Sequence, residues 1–226
     1  MTAGAAGVVE TAVEVPARDA ILEGDLILPE RASGVVLFAH GSGSSRHSPR
    51  NRQVAGTLNQ TGMGTLLVDL LTPAEEEADR FTGIHRFDID LLTPRLIAAI
   101  HWLRAGPAAS VRIGLFGAST GAAAALAAAV ERPEDVSAVV SRGGRPDLAG
   151  PYLRRVHAPT LLIVGGADPV VLELNEHALE VLPGERRLVI VPGATHLFEQ
   201  PGALEEVARR AAEWFTRYLR DHDGAR

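Results

Sequence analysis

The chain contains no cysteine. That removes disulfides, thiolate metal sites and a thiol nucleophile together, and gives no reading of the redox compartment. Aromatic residues are scarce, at 4%, so the apolar content is mostly Ala, Val and Leu. No uninterrupted apolar run approaches the ~20 residues that a membrane span needs. Positive charge is not in excess: the formal net charge is −6, which argues against a broad nucleic-acid footprint. Met1 to Val9 lack the basic region and apolar core of a signal peptide. The eight histidines are scattered and form no H-x-x-x-H or H-E-x-x-H pattern, so the expectation for metal ligands is none. The default is a cytoplasmic protein with no cofactor and no nucleic-acid or membrane partner, either monomer or homodimer.

What is present points to one α/β domain spanning residues 1–226, with 46% hydrophobic residues for its core. Val8 to Val15 and Ala20 to Leu28 read as two short strands, an antiparallel pair at a sheet edge. Gly34 to Ala39, Gly64 to Leu70, Val111 to Phe116, Val136 to Ser141, Pro159 to Val164 and Arg186 to Val191 read as further strands. The continuous apolar character of the first two fits parallel strands buried on both faces. Helices are expected from Ser48-Pro49 to about Thr61, over Arg86 to Arg104, over Ala122 to Val130, over Val170 to Leu182 and over Leu204 to Leu219. A short helix follows from about Asp147 to Val156. Thr72 to Ile84, with Glu75-Glu76-Glu77 at its centre, reads as an acidic surface excursion that can include a helical turn. Strands alternating with helices across short connections specify one open, mostly parallel twisted sheet with helices on both faces.

Within that pattern, Gly117-Ala118-Ser119-Thr120-Gly121 lies between a strand and a helix. Strand, sharp turn and helix is the context that gives G-x-S-x-G its meaning, because the turn lifts the serine hydroxyl above the sheet edge. The helix start turns its amides and positive dipole end toward the same spot. In open sheets, functional groups gather past the carboxyl ends of the strands. Here those ends supply His40 to Gly43, Ser119, Arg142, Asp168 and His196. Serine, then acid, then histidine, each past a different strand, is a chain order suited to nucleophilic catalysis. Ser119 needs a base to take its proton, His196 can be that base near neutral pH, and Asp168 can orient the imidazole. Taken singly, Asp168 before Pro169 is also a plain helix cap, and His196 a plain loop histidine.

An oxyanion would be held by the Thr120 amide and one amide of the His40-Gly41-Ser42-Gly43 loop, Ser42 first and Gly43 second. His40 is expected to act structurally within that loop, and it is kept with Arg142 and Phe198 as a candidate substrate contact. Arg142, Arg145, Arg46 and Arg50 could favour a substrate carrying a carboxylate or phosphate, or could pair with Asp147, Asp69 or the acidic stretch.

The segments H-G-S-G-S-S at His40 to Ser45, G-A-S-T-G at the turn, G-G-A-D-P at Gly165 to Pro169 and G-A-T-H at Gly193 to His196 together resemble the dienelactone hydrolase-like group of α/β hydrolases. The resemblance spans almost the whole chain. It implies the α/β-hydrolase fold and acyl transfer to water through an acyl-serine. Dienelactone hydrolases proper use a cysteine nucleophile, whereas this chain has Ser119 and no cysteine. That departure shifts the expected substrate from dienelactone to a small ester or lactone. The segment after the Val136 to Ser141 strand, where many relatives insert a lid, is short, so no sizeable lid and an uncovered pocket are expected.

Thioester, C–C or cofactor-free perhydrolase chemistry would use the same three residues. Two readings belong to other classes. A hydrolase fold could serve as a non-catalytic binding module. Gly41-x-Gly43 with Asp69 after the next strand mimics a dinucleotide fingerprint, but Arg46 stands at its third glycine and Ser48-Pro49 delays the helix.

Overall fold

Between Val35 and Gly165 the strands are buried at nearly every position, while the last strand, at the sheet edge, fully buries only Val191, and the architecture follows from that. The computed structural model describes residues 9–220. The expected strand start at Val8 and most of the segment inspected for a signal peptide lie outside those residues. The edge pair forms as β1 (Glu10–Pro16) and β2 (Ile21–Ile27), antiparallel, with Val15 opposite Leu22. Six strands then run parallel to one another: β3 (Val35–Ala39), β4 (Gly64–Val68), β5 (Ile113–Ala118), β6 (Val136–Arg142), β7 (Thr160–Gly165) and β8 (Arg186–Val191). One eight-stranded sheet results, in the order β1-β2-β4-β3-β5-β6-β7-β8, with β2 antiparallel to β4.

Successive side chains on a strand point to opposite faces, and each face here has its own core. Along β3, Val35, Leu37 and Ala39 enter one core, and Val36 and Phe38 enter the other. The first core is closed by α3 (Ile89–Ala105), α4 (Thr120–Glu131) and α5 (Pro169–Val181). The second is closed by α1 (Pro49–Gln60) and α6 (Ala203–Leu219). Each fully buried Val, Leu or Phe contributes about 1.5–3 kcal/mol. The Ala run of α4 is buried from Ala122 to Ala129, so small side chains let this helix lie close on the sheet. Ser48 caps α1 with Pro49 in its first turn, as the sequence suggests.

Three local expectations need correction. The acidic excursion is a ten-residue helix, α2 (Pro73–Thr82). Its start is a reciprocal capping box: Thr72 Oγ1 accepts from the Glu75 amide at 3.3 Å, and the Glu75 carboxylate accepts from the Thr72 amide at 2.8 Å. The Thr-x-x-Glu spacing was legible, but the surrounding acidity hid it. Arg86 lies not in the third helix but in a 3-10 turn, His85–Phe87, where its Nε meets Asp79 at 2.6 Å. The helix begins only after Asp88, whose carboxylate accepts from the Leu91 amide at 3.0 Å. The helix expected over Asp147 to Val156 is instead 3-10 structure, Pro146–Arg155, broken at Gly150 with φ 51°. Pro151 directly after that break lacks the N–H that a continuous helix would use. Among the described residues, no helix is long and apolar enough to cross a membrane.

Candidate active site

The order of the sheet decides where a site can form. From β3 the chain moves to β4 on one side, then crosses to β5 on the other. A crevice opens at such a switch point, beyond the carboxyl ends of the two diverging strands. The β3 loop, His40 to Arg46, and the β5 turn at Ser119 meet there. Ser119 has φ 50° and ψ −119°, a strained conformation for a residue with a side chain. Its neighbours permit it: a Cβ on Gly121 would lie 2.2 Å from the Ala39 carbonyl oxygen, and one on Gly41 would lie 3.0 Å from the Ser119 Cβ. The turn is thus pressed against the end of β3 on backbone alone.

Asp168 follows β7 and His196 follows β8. The Ser119 hydroxyl is 3.3 Å from His196 Nε2, and His196 Nδ1 is 2.8 Å from Asp168 Oδ2. With Nδ1–H donating to the carboxylate, Nε2 is left to accept from the serine hydroxyl. A hydroxyl, an imidazole and a carboxylate in that line can carry general-base-assisted attack on a carbonyl. Asp168 also caps α5, its Oδ1 accepting from the Val171 amide at 3.4 Å. One carboxylate thus makes both the imidazole contact and the cap contact.

Thr120 supplies the first amide of α4, which has no acceptor within its own helix. The Ser119 amide is already used, donating to the Arg142 carbonyl at 3.1 Å. In the β3 loop, the Ser44 amide donates to the Gly41 carbonyl at 3.2 Å, while the Ser42 and Gly43 amides make no hydrogen bond to any described residue. The loop is tied to the end of β4 at two points. His40 Nε2 accepts from the Leu70 amide at 3.0 Å, and Arg46 pairs with Asp69. With Nε2 accepting, His40 Nδ1–H donates to the Gly41 carbonyl at 3.0 Å. Both ring nitrogens are thereby occupied by backbone, and His40 meets the crevice only as a wall. Asp69, the acid of the dinucleotide alternative, is likewise spent on Arg46.

Beside the loop lies a cleft of about 420 Å³. Its walls include His40 to Ser45, Thr120 and Leu92, and also Glu76, Asp79, Arg80 and Arg86 from α2 and the turn after it. The pocket is therefore not fully uncovered: α2 walls it from the β4 side, although no lid follows β6. Sequence reasoning missed Glu76, Asp79, Arg80 and Arg86 as walls, and the capping box at Thr72 was the one signal that a helix stood there. Burial and the nearby Asp69 charge raise the Glu76 carboxyl above its ordinary range.

The arginines divide. Arg46 is neutralised by Asp69, Glu23 and Asp25, and Arg145 by Asp147 at 2.7 Å. Arg142 ends β6 opposite Ala118, and its side chain turns down toward the α1 and α6 layer, its guanidinium carbon 5.9 Å from the Phe198 ring centroid. Phe198 is buried in the core of that layer, with φ 56°, and does not line the cleft.

A doubly flanked, mostly parallel sheet with a serine on a strained turn after its fifth strand defines the α/β-hydrolase class. Within that class the chain belongs to the dienelactone hydrolase family, whose pattern matches residues 22–220. A crystal structure described as dienelactone hydrolase from Anabaena variabilis is 59% identical, covers 94% of this chain and 99% of its own, and superposes with a TM-score of 0.92. A Xanthomonas campestris protein described as an α/β serine hydrolase without lid shares the fold at 22% identity and a TM-score of 0.75, covering 96% of this chain and 97% of its own. A Mycobacterium tuberculosis H37Rv protein named "Putative phosphoribosyl transferase" is 55% identical over 224 residues, covering 95% of this chain and 50% of that one. The chain thus spans about half the length of the curated relatives it matches at that identity. The family pattern and the fold thus agree on one class.

Proposed function

We propose that this chain cleaves a small carboxylic ester or lactone through an acyl-Ser119 intermediate. The observation that carries the reading is the line of contacts Ser119 Oγ to His196 Nε2 at 3.3 Å and His196 Nδ1 to Asp168 Oδ2 at 2.8 Å. His196 takes the hydroxyl proton as Ser119 Oγ attacks the carbonyl carbon, and Asp168 stabilises the imidazolium. The oxyanion is held by the Thr120 amide and by the Ser42 amide, with Gly43 as the alternative donor. As the intermediate collapses, the carbon–oxygen bond to the leaving group breaks, and His196 returns its proton to the departing alkoxide. Water then attacks the acyl-serine with His196 again as base, releasing the acid and restoring the serine.

The lactone option agrees with the name of the Anabaena variabilis relative. The transferase name belongs to a protein of which this chain covers half, and the geometry above supports acyl transfer instead. Thioesters, C–C bonds and peracid formation would draw on the same groups. The test pairs a serine-directed fluorophosphonate with a panel of short acyl esters, lactones and thioesters. Adduct mass on the Ser119 peptide with turnover of at least one oxygen ester or lactone is expected. No adduct and no turnover would favour a binding module on this fold.

A further inference from the structure

The backbone at Arg142 and Gly143 runs beside both Ser119 and His196. The Arg142 carbonyl accepts the Ser119 amide, and the next residue, Gly143, lies under the imidazole, where an added Cβ would be 3.5 Å from the His196 ring. Yet the Arg142 side chain has no counter-ion among the described residues. It is 8% exposed, and its Nε and Nη1 are buried with no hydrogen-bond partner. The neighbouring charge that acts on it is another cation, Arg50, whose Nε is also buried and unpartnered. Neither forms an ion pair with any described residue, although Arg46, Arg52 and Arg145 each do. Arg50 lies in the first turn of α1, which carries no acidic residue there to offset the helix dipole.

Burying idle guanidinium donors beside a like charge disfavours folding, and the Phe198 ring 5.9 Å from Arg142 offsets part of that cost but satisfies none of those donors. Burial and Arg50 pull the Arg142 pKa down to about 10, so the group is still cationic near neutrality. Two fixed positive charges with several planar donors match a doubly charged tetrahedral oxyanion better than a single carboxylate. We infer that Arg142 and Arg50 form a phosphate-class anion subsite beside Ser119, holding a phosphoryl group on the non-reacting part of the substrate. The substrate half of this inference rests on the hydrolase reading; the anion site itself does not.

Calorimetry with inorganic phosphate tests the site without turnover. Wild type and Ser119→Ala should bind about one equivalent, Arg142→Gln or Arg50→Gln should bind about 10–100-fold more weakly, and Arg145→Gln should match wild type. Should Arg142→Gln fail to fold, Arg142→Lys and Arg50→Gln carry the comparison. A phosphate-bearing ester should exceed its neutral isostere in kcat/KM by about tenfold or more, and Arg142→Gln should erase that preference. The inference is overturned by absence of saturable phosphate binding to folded wild type, by equal binding in the Arg142 and Arg50 variants, or by equal kcat/KM for the two esters. Arg142-dependent phosphate binding in a protein that hydrolyses no ester would instead overturn the hydrolase reading and leave the anion site standing.

Discussion

Asp168 serves His196 with one carboxylate oxygen and its own helix with the other: Oδ2 is 2.8 Å from His196 Nδ1, and Oδ1 accepts from the Val171 amide at 3.4 Å. The imidazole is therefore held by a residue whose backbone and side chain are both fixed by the start of α5.

That double use separates two substitutions. Asp168→Asn keeps an oxygen for the cap but no longer orients or stabilises the imidazolium, so kcat/KM should fall about 10⁴-fold with little change in stability. Asp168→Ala should lose activity similarly and also about 0.5–1 kcal/mol of stability, because the cap is gone. Urea unfolding beside ester kinetics reads both, and equal stability losses in the two variants would contradict the cap.

Ser119→Ala should lower kcat by at least about 10³-fold while Tm stays near the wild-type value. Removing the hydroxyl leaves Cβ and the strained turn in place, so the fold has no reason to change. Retained turnover of the best ester in the panel would reject Ser119 as the nucleophile.

Gly121 and Gly202 predict opposite sources of damage. An alanine Cβ at Gly121 would stand 2.2 Å from the Ala39 carbonyl oxygen and 2.5 Å from that of His40, and backbone cannot yield that far. Gly121→Ala should cost at least about 3 kcal/mol or prevent folding. Gly202 has φ 80° with nothing within 4 Å of a built Cβ, so Gly202→Ala should cost only the strain of a left-handed residue, about 1–2 kcal/mol. Thermal melts of the two variants give the comparison.

Glu75 links α2 to the body of the protein. Arg95, 2% exposed at its side chain, meets Glu75 at 2.6 Å and Asp19 at 2.7 Å. Hydrogen bonds from Arg95 lead in pulling the Glu75 pKa from its ordinary 4.5 down to about 2. A carboxylate whose folded pKa is depressed stabilises the fold above its unfolded pKa, and loses that contribution as pH falls through the folded one. The window here runs from about 4.5 down to about 2. Glu75→Gln should lose about 1–3 kcal/mol at neutral pH and show a shallower fall in stability across that window than wild type. Parallel pH profiles for the two proteins would count against the linkage.

Much of this was legible in the chain because the signals are local. Uninterrupted apolar runs marked the parallel strands, Ser48-Pro49 marked the start of α1, and the glycines around Ser119 marked a turn. Acidity at Glu75 to Glu77 outweighed a four-residue capping signal, so α2 and the cleft wall it forms went unread. Arg46 and Arg142 look alike in sequence, each beside a glycine- or serine-rich loop. Only the packing gives one three carboxylates and the other none among the described residues.

The sequence by itself determined the alternation of strands and helices and the order of serine, acid and histidine along the chain, because turn chemistry and hydrophobic period act between near neighbours. Tertiary structure alone decided that groups 77 and 28 positions apart come within hydrogen-bond reach. It also decided which arginines keep a counter-ion and how α2 shapes the cleft. Those outcomes depend on the order in which strands pair and on where each side chain's reach ends, and no short stretch of residues encodes either.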